Sequence, residues 1–204
     1  MREKAALLIV DVQNDFCPGG ALQILGGDRI IEPINRAVRC FVAAGLPVLA
    51  SRDWHPPNTK HFRLFGGVWP AHCVRGTEGA AFHPVLCLPE ETVVLSKGIN
   101  PEQDGYSVFE GVTGDGRTLL ELLHELEVRK LYISGLATDY CVLCTTREAL
   151  RNGFDVTVLT DAVAGVDIVP GASANAIEEM ERAGARLAGV ESVTHSVCSE
   201  LRHC

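Results

Sequence analysis

Six short apolar runs, rich in Val, Ile and Leu, alternate along the chain with segments whose apolar positions repeat every three to four residues. The apolar runs are nearly continuous instead of alternating with polar residues, which is typical of strands that are covered on both faces. This pattern predicts parallel strands at residues 5–12, 46–54, 91–98, 130–137, 155–163 and 185–190.

The segments between these runs have the period of amphipathic helices. Gly45 follows the first of them, and Asp115 precedes the second as its predicted N-cap. Helices are predicted over residues 30–42, 119–126, 138–152 and 173–183. Regular alternation of strand and helix predicts an α/β fold, a doubly wound six-stranded parallel sheet with helices on both faces.

The chain shows no internal repeat, low-complexity tract or linker, so a single domain over residues 1–204 is expected. One segment interrupts the regular alternation of predicted strands and helices. Residues 55–89 are rich in Pro, Gly and His and have neither a helical nor a strand period. Because a structureless stretch of this length is uncommon inside a compact domain, it is expected to carry function.

Charge and composition exclude several classes of protein. The net charge of −8 and the absence of any Lys/Arg run argue against binding to nucleic acid or to an anionic membrane. No stretch approaches the roughly 20 apolar residues that cross a bilayer, and the N-terminus lacks a signal-peptide pattern, so a cytoplasmic protein is expected.

In that compartment the eight cysteines are expected to be reduced thiols. The C-terminal tail gathers a small group of possible zinc ligands, but their spacing matches no zinc motif and a frayed terminus is expected. These residues are His195, Cys198, His203 and Cys204.

Reactive side chains follow four of the predicted strands. Asp11, Asp53 and Lys97 end the first three strands, and Cys141 follows the fourth. Because the carboxyl ends of parallel strands share one edge of the sheet, these four side chains are expected to converge there. Cys141 alone has two other interpretations, a small apolar core residue or half of a Cys-x-x-Cys redox pair with Cys144.

A catalytic thiol needs activation, since the thiolate is the nucleophile. A helix N-terminus and a lysine lower the pKa of a thiol, and a carboxylate accepts its proton. Cys141, Lys97 and Asp11 therefore predict a nucleophile with its electrostatic partner and its base. Amides in the first turn around Cys141 would face an oxyanion on the substrate.

A second constellation combines one carboxylate with three imidazoles, a set that suits zinc, iron or manganese. Its members are Asp53, His55, His61 and His72. The alternative is that these histidines are merely exposed in a polar loop. Cys73 is a further candidate ligand, although its position next to His72 directs it away if the backbone is extended.

Phe16, Trp69 and Tyr106 are aromatic residues in predicted loops at the same edge of the sheet. They suit the wall of a pocket for a flat ring, and a packing role is an equal alternative for each one.

Five successive segments together resemble the nicotinamidases within the isochorismatase-like cysteine hydrolases. They read "IVDVQNDFCPGGAL", "SRDWHPPNTKHF", "WPAHCVRGTEGAAFHP", "SKGINPEQDGYSVFEG" and "SGLATDYCVLCTTREALRNG", in the order of the family's motifs. The resemblance spans nearly the whole chain, and an ordered set of this kind is far more specific than any one motif.

The resemblance implies a triad in which Asp11 is the general base, Lys97 the electrostatic partner and Cys141 the nucleophile. It implies an oxyanion hole formed by the backbone amides of Ala137 and Cys141. It also implies a cis peptide between Ala137 and Thr138.

The resemblance further implies that one divalent metal ion is held by the carboxylate and three histidines and itself holds the pyridine nitrogen of nicotinamide. The implied pocket walls are Phe16, Trp69, Tyr106 and Tyr140. The expected reaction yields nicotinic acid and ammonia through a Cys thioester, in NAD salvage, with pyrazinamide as a second substrate. The sequence is compatible with a homo-oligomer.

Three other hypotheses remain open. A hydrolase on the same scaffold would act on a carbamoyl or ureido compound or on isochorismate, but such relatives are expected to lack the Asp-x-His pair with two further histidines. A dithiol redox protein would use Cys141 and Cys144, which leaves Asp11 and Lys97 unexplained. A metal-holding binding module would have no need of a complete triad.

Overall fold

A computed structural model describes the backbone of residues 4–201 and the side chains of residues 4–197. Its centre is a six-stranded parallel sheet with the strand order β3-β2-β1-β4-β5-β6. The strands are β1 Lys4–Val10, β2 Val48–Asp53, β3 Val93–Lys97, β4 Val128–Leu136, β5 Asp155–Ala164 and β6 Arg186–Ala188. The predicted doubly wound sheet is confirmed, and each predicted strand is present.

Helices cover both faces of this sheet. They are α1 Ile31–Ala43, α2 Leu119–Glu125, α3 Leu143–Arg151, α4 Ala172–Arg182 and α5 Val190–Leu201. Leu7 and Ile9 of β1 pack in a core with α1 and α5, whereas Ala6 and Leu8 pack in a second core with α2, α3 and α4. Because both faces are buried, residues 5–10 of β1 are apolar at every position, which explains the continuous hydrophobic run.

The N-cap of α2 differs from the prediction. Helix α2 begins after Thr118, whose side chain accepts a hydrogen bond from the amide of Glu121 while the Glu121 carboxylate accepts one from Thr118. This reciprocal capping box replaces the predicted cap at Asp115. Asp115 instead accepts hydrogen bonds from Thr113 and Arg117.

The predicted helix at 138–152 has two parts, a π-helical turn over Thr138–Val142 and then α3.

The prediction of a frayed C-terminus is wrong as far as Leu201, because α5 is regular and buries Val190, Val193 and Val197 against α1. His195 is exposed on this helix. The side chains of Cys198, His203 and Cys204 lie outside the described residues.

The cis peptide lies between Leu136 and Ala137, one bond earlier than predicted.

The expectation of reduced thiols also needs a correction, because Cys40 is disulfide-bonded. Free thiols among the described residues are those of Cys17, Cys73, Cys87, Cys141 and Cys144. Between residues 4 and 201 no helix has the length and apolar character to span a bilayer.

Candidate active site

The strand order determines which side chains meet at the carboxyl edge of the sheet. β3, β2, β1 and β4 are consecutive neighbours, so Lys97, Asp53, Asp11 and the segment leading to Cys141 follow one another along the edge. Lys97 is fully buried at the centre of this group. Its Nζ atom lies 2.8 Å from Asp11 Oδ2, 2.6 Å from Asp53 Oδ1 and 3.2 Å from Cys141 Sγ.

Lys97 is therefore a cation held between two carboxylates and a thiol. Its Nζ atom also donates a hydrogen bond to the carbonyl oxygen of Gly105 at 3.1 Å. Burial lowers the pKa of Lys97, but the charges of Asp11 and Asp53 outweigh it and raise the pKa well above the usual value. The ammonium is accordingly charged at neutral pH.

Asp11 follows β1 with a left-handed backbone conformation, φ 48°. Its Oδ1 atom accepts a hydrogen bond of 2.7 Å from the Ser51 hydroxyl on β2. Burial raises the pKa of Asp11 to about 6, and Lys97 and Ser51 partly offset that rise by favouring the ionised form. A carboxylate with a pKa in this range is suited to accept a proton near neutral pH and return it.

Cys141 lies in the π-helical turn between β4 and α3, and its thiol is buried. Its Sγ atom lies within 4.8 Å of both the Asp11 and the Asp53 carboxylate. Burial raises the pKa of Cys141 well above the usual thiol value, and Lys97 opposes only part of this shift. The expected lowering of the thiol pKa is therefore wrong: Cys141 is protonated at rest, and a base has to remove its proton.

Cys144, the second cysteine of the Cys-x-x-Cys sequence, lies on α3 and is partly buried. Both thiols are free. Burial raises the pKa of both thiols, but it is Cys141 whose Sγ atom lies 3.2 Å from the Lys97 ammonium. The charged groups of the site are thus arranged around Cys141.

Asp53 links this group to a cluster of histidines. Its Oδ1 atom binds Lys97, and its Oδ2 atom lies 3.6 Å from His55 Nε2. Burial raises the pKa of Asp53, but Lys97 and His55 outweigh it and hold the pKa below its usual range. Gln13 fixes the Asp53 backbone, since its side chain accepts a hydrogen bond from Asp53 N and donates one to Asp53 O, both at 2.8 Å.

His55, His61 and His72 each offer one nitrogen within 4.8 Å of the others, and all three are buried. The Nδ1 atoms are engaged elsewhere: His55 with Gly98 O at 3.1 Å, His61 with Asp104 Oδ1 at 3.0 Å and His72 with Pro70 O at 2.8 Å. An imidazole whose Nδ1 donates to an oxygen presents Nε2 as a metal ligand.

The donor set fits a metal ion. His55 Nε2 is buried and has no hydrogen-bond partner among the described residues, which is costly unless a ligand fills the space. Burial lowers the pKa of His61, and it lowers that of His72 to about 4, so both rings are neutral as ligation requires. With the adjacent carboxylate of Asp53 these imidazoles form a candidate metal centre.

Cys73 is buried beside this centre with φ 45° and is not one of the clustered donors. Its amide donates a 2.7 Å hydrogen bond to Asp15 Oδ2, which attaches the His72 segment to the loop that follows β1.

A cavity extends from the Cys141 thiol to His61 and His72. Its wall contains all four aromatic residues that were singled out in the sequence, together with both residues expected to form the oxyanion hole. Trp69 Nε1 donates a 3.0 Å hydrogen bond to the Tyr106 hydroxyl, and the Tyr140 ring lies 4.9 Å from that of Trp69. The lining is Phe16, Leu22, Asp53, His61, Trp69, His72, Tyr106, Ala137, Tyr140, Cys141 and Val166.

Several residues of the site were missed by sequence reasoning. Ser51 and Gln13 hold the carboxylates, Asp104 holds His61, and Leu22 and Val166 add apolar wall. Ser51 had a usable signal, because it lies two residues before Asp53 on the same strand and shares its direction. The others act from loops whose path the sequence does not show.

Comparison with known proteins identifies the family of this chain. The family model of the isochorismatase domain matches residues 5–192. The chain belongs to the isochorismatase family. Among relatives in this family, the nicotinamidase of Escherichia coli is 42% identical, with 89% of this chain and 93% of the relative covered. The nicotinamidase/pyrazinamidase of Mycobacterium tuberculosis is 40% identical, with 89% and 97% covered.

One solved family structure is the pyrazinamidase of Pyrococcus horikoshii in complex with zinc. It is 44% identical and superimposes with a TM-score of 0.84, covering 91% of this chain and 99% of the other. The isochorismatase-family assignment and the α/β fold are thus both confirmed.

Proposed function

We propose that this protein hydrolyses nicotinamide to nicotinic acid and ammonia and also deamidates pyrazinamide. The observation that carries the proposal is the single cavity that exposes the Cys141 thiol to a set of clustered imidazoles, with aromatic rings as its remaining wall. A flat pyridine ring suits those aromatic walls. The names of the relatives, nicotinamidase and pyrazinamidase, support the same substrates.

In the proposed mechanism, Asp11 accepts the proton of the Cys141 thiol as the sulfur attacks the carboxamide carbon. The amides of Ala137 and Cys141 bind the resulting oxyanion. Asp11 then returns the proton to the leaving nitrogen, ammonia departs, and a thioester remains on Cys141. Water attacks the thioester while Asp11 takes its proton. The C–S bond then breaks, nicotinic acid leaves, and Asp11 returns the proton to the Cys141 sulfur.

Lys97 keeps its charge through this cycle. Because its Nζ atom contacts both Asp11 Oδ2 and Cys141 Sγ, it stabilises the thiolate while the proton resides on Asp11. Replacing this cation with a neutral group would leave the negative charge of the thiolate buried and unpaired.

Asp53, His55, His61 and His72 would hold one divalent ion, and zinc, iron and manganese all suit such a set. When bound, the ion supplies a Lewis acid for the pyridine nitrogen. The protein's own residues orient the ring: Trp69, Tyr106 and Tyr140 pack around it, and Phe16 is also part of the cavity wall.

Three further features belong to this proposal. The domain extends over residues 1–204, the protein acts in the cytoplasm, and its product enters NAD salvage. A homo-oligomer is compatible with the proposal, which requires no residue from a second copy.

The test is ammonia release from nicotinamide, measured for the wild type, Cys141→Ala and Cys144→Ser, with the metal content of each sample determined. The Ala variant should be inactive while keeping its metal, and the Ser variant should keep its activity. Activity retained by Cys141→Ala would contradict the mechanism. A metal-loaded wild type without activity would contradict the substrate and direct attention to carbamoyl and ureido compounds.

A further inference from the structure

The three histidines of the candidate metal centre are not held in the same way. His55 and His72 are anchored by backbone carbonyl oxygens, those of Gly98 and Pro70. His61 is anchored by a side chain, the carboxylate of Asp104. A backbone carbonyl moves only with its chain segment, whereas a side chain on the surface rotates independently.

Asp104 lies at the surface, with 62% of its side chain exposed, while the His61 side chain is only 4% exposed. The pair therefore extends from the metal centre to the solvent. His55, by contrast, is completely buried, and its anchor is the carbonyl oxygen of Gly98.

A second cavity, which we call the Asp104 cleft, lies on this side of the centre. It is lined by Lys60, His61, Glu102, Asp104, Tyr106 and Glu110, among others. His61 and Tyr106 also line the cavity that contains Cys141. Rotation of the His61 ring toward the Asp104 cleft would therefore open the metal centre to that cleft.

The loop that carries Asp104 is tied to the segment that carries His61. Lys60 forms an ion pair with Glu102, and its amide donates a 2.9 Å hydrogen bond to Pro101 O. The Thr59 hydroxyl donates to the same oxygen at 3.2 Å. These contacts keep Asp104 beside His61, so that holding or releasing the ring depends on the Asp104 carboxylate itself.

We propose that the metal ion enters and leaves through the Asp104 cleft, with His61 as the ligand that moves and Asp104 as the positioning residue that keeps it in place. This inference rests on the metal centre of the proposed function. An anchoring carboxylate orients a ligating imidazole and makes it a better donor, and loss of such an anchor typically weakens metal binding about 10–100-fold.

The test is the rate at which zinc-loaded protein transfers Zn²⁺ to an excess of a chelating dye at neutral pH. Asp104→Ala removes the anchor and should release zinc about 10–100-fold faster than the wild type. Asp104→Asn keeps an oxygen that accepts the His61 hydrogen bond, so its release rate should lie between the two. The zinc-free forms should unfold at the same temperature, because the changed side chain is exposed.

Glu110→Gln is the matched control. Glu110 lines the same cleft and loses the same charge, but it contacts the Ser107 amide and not His61, and Gln preserves that capping contact. Its release rate should stay within about twofold of the wild type, since the substitution keeps the cap and changes no contact of His61.

Two results would overturn the inference: release from Asp104→Ala at the wild-type rate, or release from Glu110→Gln as fast as from Asp104→Ala. Either would leave the proposed hydrolase activity untouched. A wild type that retains no zinc would instead overturn the metal centre itself, and this inference with it.

Discussion

The hydrogen bond from Ser51 to Asp11 leads to a quantitative prediction about the pH dependence of the reaction. Ser51→Ala removes the hydroxyl that donates to Asp11 Oδ1 at 2.7 Å, and both residues are fully buried. A hydrogen bond to a charged group contributes about 1.5–3 kcal/mol. Because the bond stabilises the ionised carboxylate, its loss raises the Asp11 pKa by about one to two units, at roughly 1.4 kcal/mol per unit.

The direction of the effect follows from the role of Asp11 as a base. The carboxylate accepts the thiol proton only when ionised, so kcat/KM should fall as the pH drops below the pKa, which is about 6 in the wild type. In Ser51→Ala the midpoint of this fall, the acid limb of the pH profile, should move up to about pH 7–8. At pH 6 the ionised fraction then drops from about one half to between about one tenth and one hundredth, so kcat/KM falls about 5- to 50-fold.

The assay is nicotinamide hydrolysis across the acid and neutral range, with kcat/KM determined at each pH. Ser134→Ala is the matched control: Ser134 is equally buried on β4, which pairs with β1, but its hydroxyl has no hydrogen-bond partner within residues 4–201. Its acid limb should coincide with that of the wild type. An unmoved limb in Ser51→Ala, or an equal shift in the control, would refute the role given to Ser51 and Asp11.

Three other perturbations have definite expected outcomes. Lys97→Met should abolish hydrolysis and, since it leaves two buried carboxylates without their cation, lower the free energy of unfolding in urea by about 3–5 kcal/mol. Gln13→Met should leave Asp53 N, Asp53 O and Ala80 O unpaired, at a cost of about 1–3 kcal/mol for each buried group, and reduce zinc retention after dialysis. Removal of the metal by a chelator should abolish ammonia release and lower the thermal midpoint, and addition of one equivalent of zinc should restore both.

Sequence reasoning located the site because parallel strands impose a simple geometry. Asp53 and Lys97 each end a strand and Asp11 directly follows one, and the carboxyl ends of parallel strands all lie at the same edge of the sheet. The histidines were recognisable for a different reason, since their residue type and their loop are unusual even when the loop's path is unknown.

What the sequence did not show was how deeply each side chain is buried. The thiol of Cys141 was expected to have a lowered pKa because a lysine and a helix start lie nearby, but its pKa is raised, since burial outweighs the lysine. Local neighbours can be inferred from strand ends, whereas desolvation depends on everything that covers the site.

Asp104 was missed for a related reason. It lies 43 residues from His61 in the chain, and a Gly- and Asn-containing loop gives no indication of which partner it will meet. Only the folded contact distinguishes this carboxylate from its neighbour Glu102, which pairs with Lys60 at the surface.

The charges at the centre of the site explain why the two halves depend on each other. With Cys141 protonated, the Lys97 ammonium faces two carboxylates, one of which has its other oxygen 3.6 Å from His55 Nε2. The buried group therefore has an excess of negative charge, which is unfavourable in a poorly solvated interior. A divalent cation among the histidines would offset that charge through Asp53. Asp53, which would help to hold the metal, also shares the Lys97 ammonium with the base Asp11. Removal of the ion should therefore destabilise the fold around the site and also slow the reaction of the Cys141 thiol.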